Sequence, residues 1–136
     1  MRINIDVKAK HRNSMHLQAM IDTGATLSIV NTNLFPANIT LPCPTMPIQY
    51  SNGQQSSINR CIKLHTQLYR NHAFLFKFYL ANIPYTMVIG MDILSKFYPV
   101  SFESEHVVFH HANFPIRIAK SPFRDSLHSF FALKMC

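Results

Sequence analysis

A period-two alternation of apolar and polar residues recurs along this chain and restricts what it can fold into. Ile3, Ile5 and Val7 share one side of their segment, and Leu17, Ala19 and Ile21 share one side of theirs. Leu27 and Ile29 follow, then Ile58, Ile62 and Leu64, then Phe74, Phe76, Phe78 and Leu80, then Tyr85, Met87 and Ile89. Successive side chains of a strand point to opposite faces, so this pattern predicts half-buried strands. Only residues 91–97 predict a helix, with Asp92 in the first turn, where the helix dipole favours an acid. Residues 32–47 carry Pro36, Pro42, Pro44 and Pro47 and predict an irregular connection. The expected class is mainly β, with short strands and one short helix near the C-terminal end.

Glycine occurs only three times, at Gly24, Gly53 and Gly90. A β-rich chain needs glycine where the backbone turns sharply or where another group comes close. Gly24 follows an apolar strand in Ile21-Asp22-Thr23-Gly24-Ala25. A carboxylate at the end of a buried strand is costly unless it is hydrogen-bonded or kept for chemistry. The bland alternative is an Asx turn closing a hairpin. Gly53 lies in Tyr50-Ser51-Asn52-Gly53-Gln54, where Asn-Gly between extended segments predicts a type I′ hairpin. Gly90 lies in Val88-Ile89-Gly90-Met91-Asp92-Ile93-Leu94, a strand-to-helix turn.

Taken in order, these three segments resemble the retropepsins, the retroviral-type aspartic proteases. Asp22-Thr23-Gly24-Ala25 is similar to the family's catalytic Asp-Thr-Gly-Ala. Gly53 sits where the family carries its flap hairpin, and the segment from Val88 to Leu94 resembles the apolar-apolar-Gly stretch and short helix beneath the catalytic loop. The resemblance covers roughly residues 1–112 and is closest in style to the polyprotein proteases of plant pararetroviruses of the badnavirus or tungrovirus type. It implies a retropepsin-like half-barrel with a flap hairpin, assembled as a C2 homodimer. Residues 113–136 are then a C-terminal extension or linker.

The resemblance also assigns roles. Asp22 is the catalytic carboxylate, and Thr23, Gly24 and Ala25 form the active-site loop. Tyr50, Ser51, Asn52, Gly53 and Gln54 form the flap over the substrate, and Ile89 and Gly90 support the pocket. Some retroviral members pair an acidic residue after Asp-Thr-Gly-Ala with an arginine in the helix. Thr26 and Asp92 stand at those places, so the ion pair cannot form, and a hydrogen bond donated by Thr26 to Asp92 is a possible substitute.

Peptide hydrolysis of this kind needs two carboxylates around one water, sharing a proton because like charges so close resist joint ionisation. The chain has four aspartates, Asp6, Asp22, Asp92 and Asp125, and only Asp22 lies in an Asp-Thr-Gly context. The second carboxylate is therefore expected from a second copy across a two-fold axis. The strands holding Ile3, Ile5 and Val7, and those holding Val100, Phe102, Val107 and Phe109, are the expected interface. The expected function is an aspartic endopeptidase that processes a viral or retroelement polyprotein, in host cytoplasm or in viral particles. The alternative is a catalytically weak retropepsin-like dimerisation or binding domain.

Composition narrows the remaining classes. At 136 residues the chain is long enough for one modest core. Its 48% hydrophobic and 14% charged content argues against disorder for most of the length. No apolar run is long enough for a membrane span, and the first residues lack the apolar block of a signal peptide. The net charge of +7 raises the question of nucleic acid. Lys and Arg are scattered with no run of three, and Arg70, Lys77 and Tyr79 are too dispersed to interleave basic and aromatic groups along one face, so a nucleic-acid partner is not expected. Cys43, Cys61 and Cys136 cannot all pair within one chain, which fits a reducing compartment. His106, His110 and His111 lack the further ligands zinc requires, although Glu103 and Glu105 precede them, so neither metal nor cofactor is expected.

Overall fold

The computed structural model describes residues 1–50 and 52–121, and the backbone of 133–135. The strands are β1 (Arg2–Lys8), β2 (Met15–Ile21), β3 (Ile29–Asn31), β4 (Leu41–Tyr50), β5 (Gln55–Tyr69) and β6 (His72–Ala81). β7 (Met87–Ile89) precedes α1 (Met91–Leu94), the one α-helix among the described residues, which tightens into a 3-10 turn at Ser95–Phe97. β8 (Ser101–Phe102), β9 (His106–His111), β10 (Phe114–Ala119) and β11 (Leu133–Met135) complete the order.

The main sheet runs β1-β2-β7-β3-β6-β5-β4-β11, and β1 also pairs with β5. That extra pairing closes β1, β2, β7, β3, β6 and β5 into a barrel, which removes their free edges. The alternation in the sequence maps directly onto it. Ile3, Ile5, Val7, Leu17, Ile62, Leu64, Phe76 and Phe78 point inward and are buried, joined by Leu94, Phe97 and Phe109. Burial of such side chains supplies about 1.5–3 kcal/mol each relative to exposure. A second apolar cluster joins Ala25, Ile29, Ile48, Ile58, Ile83, Tyr85 and Val88. It links the β4–β5 hairpin to the segment after Ile21.

Several expectations change in three dimensions. Residues 41–47 form part of strand β4 although Pro42, Pro44 and Pro47 interrupt them. The ladder accommodates them through an irregularity between Pro42 and Met46, which breaks the register on β5. Residues 114–119, read from the sequence as extension, form β10 on β9, with Ile116 and Ile118 in the barrel core. Ile3, Ile5, Val7, Val107 and Phe109, expected at a subunit interface, are instead buried in the chain's own core. Closing the barrel through the β1–β5 pair turns Ile3, Ile5 and Val7 inward, and the separate β8–β9–β10 sheet packs Val107 and Phe109 onto the same core. Among the described residues, no helix is long and apolar enough to cross a membrane.

Candidate active site

Parallel pairing of β2 with β7 sets Ile21 beside Ile89, so Asp22 and Gly90 leave the sheet together. The Asp22 amide donates to the Ile89 carbonyl at 3.0 Å. The Ala25 amide donates to the Asp22 carbonyl at 3.2 Å, closing a tight turn. Within it the Gly24 amide donates to Asp22 Oδ1 at 2.8 Å, which orients the carboxylate. Thr23, Gly24 and Thr26 are exposed, Asp22 is half-buried and Ala25 is fully buried. Ala25 thus anchors a turn whose outer surface is open.

Segment 90–92 fastens this turn from behind. The Met91 amide donates to the Ala25 carbonyl at 2.8 Å and the Asp92 amide to the Thr26 carbonyl at 3.2 Å. A Cβ on Gly90 would lie 2.6 Å from the Leu27 oxygen and 2.8 Å from the Ala25 oxygen. The two backbones can approach so closely only because residue 90 has no side chain. Ser28, fully buried, completes the joint. Its hydroxyl donates to Asp92 Oδ1 at 2.6 Å and accepts from the Gly90 amide at 2.9 Å, while its own amide donates to Asp92 Oδ2 at 3.1 Å. The carboxylate of Asp92 is therefore taken by Ser28 and by the Ile93 amide, which donates to Oδ1 at 2.9 Å. Thr26 meets Asp92 through backbone only, which corrects the expected contact. The signal for Ser28 was a lone hydroxyl in the apolar run Leu27-Ser28-Ile29-Val30, since a buried hydroxyl needs a partner.

The β4–β5 hairpin turns at residues 50–54. The Tyr50 amide donates to the Gln54 carbonyl at 2.8 Å, and the Gly53 amide to the Tyr50 carbonyl at 3.0 Å. Gly53 takes φ +88°, and Asn52 Oδ1 accepts from the Gln54 amide at 3.0 Å. Closure by the Tyr50–Gln54 pair makes the loop one residue longer than the expected type I′ turn, with glycine at the left-handed position. Ser51 lies outside the described residues. At the hairpin's base Ile48 and Ile58 pack in the same cluster as Ala25, with Tyr50 at its margin. The Asp22 turn, Ile89, Gly90 and the hairpin thus converge on one side of the barrel.

Tyr85, missed in the sequence, also faces this region. Burial, and secondarily the charge of Asp22, push its phenol above the usual tyrosine range, opposed by the nearby Arg2 guanidinium. Tyr85, Arg2, Gln18, Met20 and Thr86 line a cleft of 270 Å³. The histidines considered for metal serve other ends. His110 Nδ1 contacts the Pro99 carbonyl at 2.7 Å, and the His111 ring stands edge-on to Phe74 with centroids 5.0 Å apart. Among the described residues no three His, Cys, Asp or Glu side chains converge as a metal site. Cys43 and Cys61 are free thiols, and Cys136 lies outside the described residues.

Residues 1–98 match the model of the retroviral aspartyl protease family. The chain belongs to that family. No curated protein matches it in sequence. Its fold is similar to the crystal structure of the retroviral protease-like domain of Ddi1 from Leishmania major. The TM-score is 0.54 at 15% identity, over 92% of this chain and 98% of that one.

Proposed function

We propose that the chain is an aspartic endopeptidase in which two copies each contribute Asp22 to one site. The observation that carries this is the placement of Asp22. It is the only carboxylate in an Asp-Thr-Gly turn, and that turn is fixed from behind and open in front. In the pair, one ionised Asp22 takes a proton from water, whose oxygen attacks the scissile carbonyl carbon. The protonated Asp22 of the second copy donates to the carbonyl oxygen, stabilising the developing oxyanion. Collapse with proton transfer to the leaving nitrogen yields one carboxylic acid and one amine.

The remaining assignments are those the resemblance to the family implies. Thr23 braces the two turns across the axis, and Gly24 and Ala25 present backbone groups to substrate. The hairpin of Tyr50, Ser51, Asn52, Gly53 and Gln54 acts as a flap that excludes water. Ile89 and Gly90 support the pocket floor. Exposed Tyr98, whose hydroxyl contacts Met91 Sδ at 3.4 Å, lies beside the turn and supplies apolar interface area. The substrate is an extended polypeptide held by strand-like pairing, in this reading a viral or retroelement polyprotein of the plant pararetroviral kind. Processing takes place in host cytoplasm or within particles.

The test is cleavage of a purified polyprotein segment flanking this domain, with and without a statine-type inhibitor. Wild-type protein cleaves and the inhibitor blocks it, while Asp22→Asn is inactive but folded. Cleavage by Asp22→Asn at a comparable rate would refute the assignment.

A further inference from the structure

The sequence shows no run of basic residues, yet sheet pairing gathers them on one face. On the outer surface of the barrel Lys8 of β1 stands beside His65 of β5, and His65 stands opposite Leu75 of β6. One row away Lys63 is directly opposite Lys77. Lys8, Lys63, His65, Leu75 and Lys77 are all exposed. Lys10 and Arg12, also exposed, lie in the turn that follows β1. Directly opposed side chains in an antiparallel pair stand about 5 Å apart at Cβ, and like charges so placed destabilise the sheet.

Among the described residues, acidic groups do not offset this face. Of the six in the chain, Asp22 and Asp92 belong to the catalytic turn and its brace, and Asp125 lies outside the described residues. Glu103 pairs with Arg117, and Glu105 is in the β8–β9 connection. Among the described residues Asp6 alone shares the face, and it is engaged by His16 at 2.7 Å.

We propose that this face binds single-stranded nucleic acid through its phosphodiester backbone. Lysine ammoniums on flexible stems suit phosphates as point charges. Protein partners favour an apolar centre depleted of charge, whereas among these residues the only exposed large apolar side chain is Leu75. The same shortage of apolar groups disfavours insertion into a lipid surface. A single strand fits better than a duplex because its unstacked bases can lie on the open sheet. There the His65 ring is available for stacking, and Tyr79 lies beneath Lys77, whose ammonium is 5.0 Å from the ring centre. None of these residues belongs to the catalytic machinery, so the surface would tether the enzyme without touching the reaction.

The test is fluorescence anisotropy of a labelled 20-nucleotide single-stranded RNA titrated with the full chain across a salt series. The expected result is salt-sensitive binding that Lys63→Glu/Lys77→Glu weakens about tenfold or more at low salt. Neutral Lys63→Gln/Lys77→Gln lowers the slope of log affinity against log salt by about 0.7 for each phosphate that is no longer neutralised. Lys8→Glu weakens binding independently, and thermal midpoints confirm that the variants fold. Absence of binding at low salt, or affinity unchanged by the charge reversals, overturns the proposal. So does tighter binding to a duplex of equal length, or equally tight binding to polyglutamate.

Discussion

Gly90 has an extended backbone, φ −104° and ψ −169°, that any residue can adopt. Its requirement is for space, because two carbonyl oxygens occupy the position of a side chain. Both belong to the turn behind Asp22, so neither can yield without moving the carboxylate. Gly90→Ala is expected to cost about 3 kcal/mol and to depress turnover as well, measured by urea unfolding and peptide cleavage. Ser28 is a second such residue. Ser28→Ala takes the acceptor from the buried Gly90 amide and removes one of the two donors to Asp92 Oδ1, for an expected loss of about 1–3 kcal/mol. A denaturation midpoint unchanged by that substitution would remove Ser28 from the brace. The importance of Gly90 was legible because glycine is rare in this chain. The role of Ser28 was not, because its partners are 62 and 64 residues away and only the antiparallel β3–β7 pairing brings them together.

At the scale of elements, strands with strict alternation were legible, since β1, β2, β5 and β6 each bury one face in the barrel. β4 was hidden by its prolines, which a strand tolerates where its ladder is already irregular. β10 was hidden by its lack of a strong apolar run, although Ile116 and Ile118 alternate correctly. The basic face was illegible for a related reason, as its lysines come from three strands and no linear run records their register. The hairpin tip supports an independent prediction. A Cβ at Gly53 meets nothing within 4 Å, yet φ is +88° there. Gly53→Ala should therefore cost only the left-handed strain, about 1–2 kcal/mol, with no clash. If the hairpin closes over substrate, KM should rise more than the unfolding midpoint falls.

For the whole molecule, two phenols, Tyr85 buried and Tyr50 partly buried, contribute to the behaviour in alkali. Burial raises Tyr50, opposed by a hydrogen bond with Ser56, and burial and then the charge of Asp22 raise Tyr85, opposed by Arg2. Between the ordinary tyrosine value and the raised one, the folded chain binds more protons than the unfolded chain. Their stabilisation is thus fully present below about pH 10 and is lost as pH rises through the folded values. Urea midpoints should fall as pH rises above about 10, and Tyr85→Phe should flatten that decline; stability that increases above pH 10 would contradict this. The central claim is that each chain holds half a site, and subunit mixing tests it most directly. Wild-type protein and Asp22→Asn are exchanged in equal amounts, and activity is compared with the same total amount of wild type. Random pairing leaves about one quarter of dimers with two Asp22 carboxylates, so activity should fall to about one quarter. A fall to only about one half would mean that each chain works alone, and would contradict the shared site.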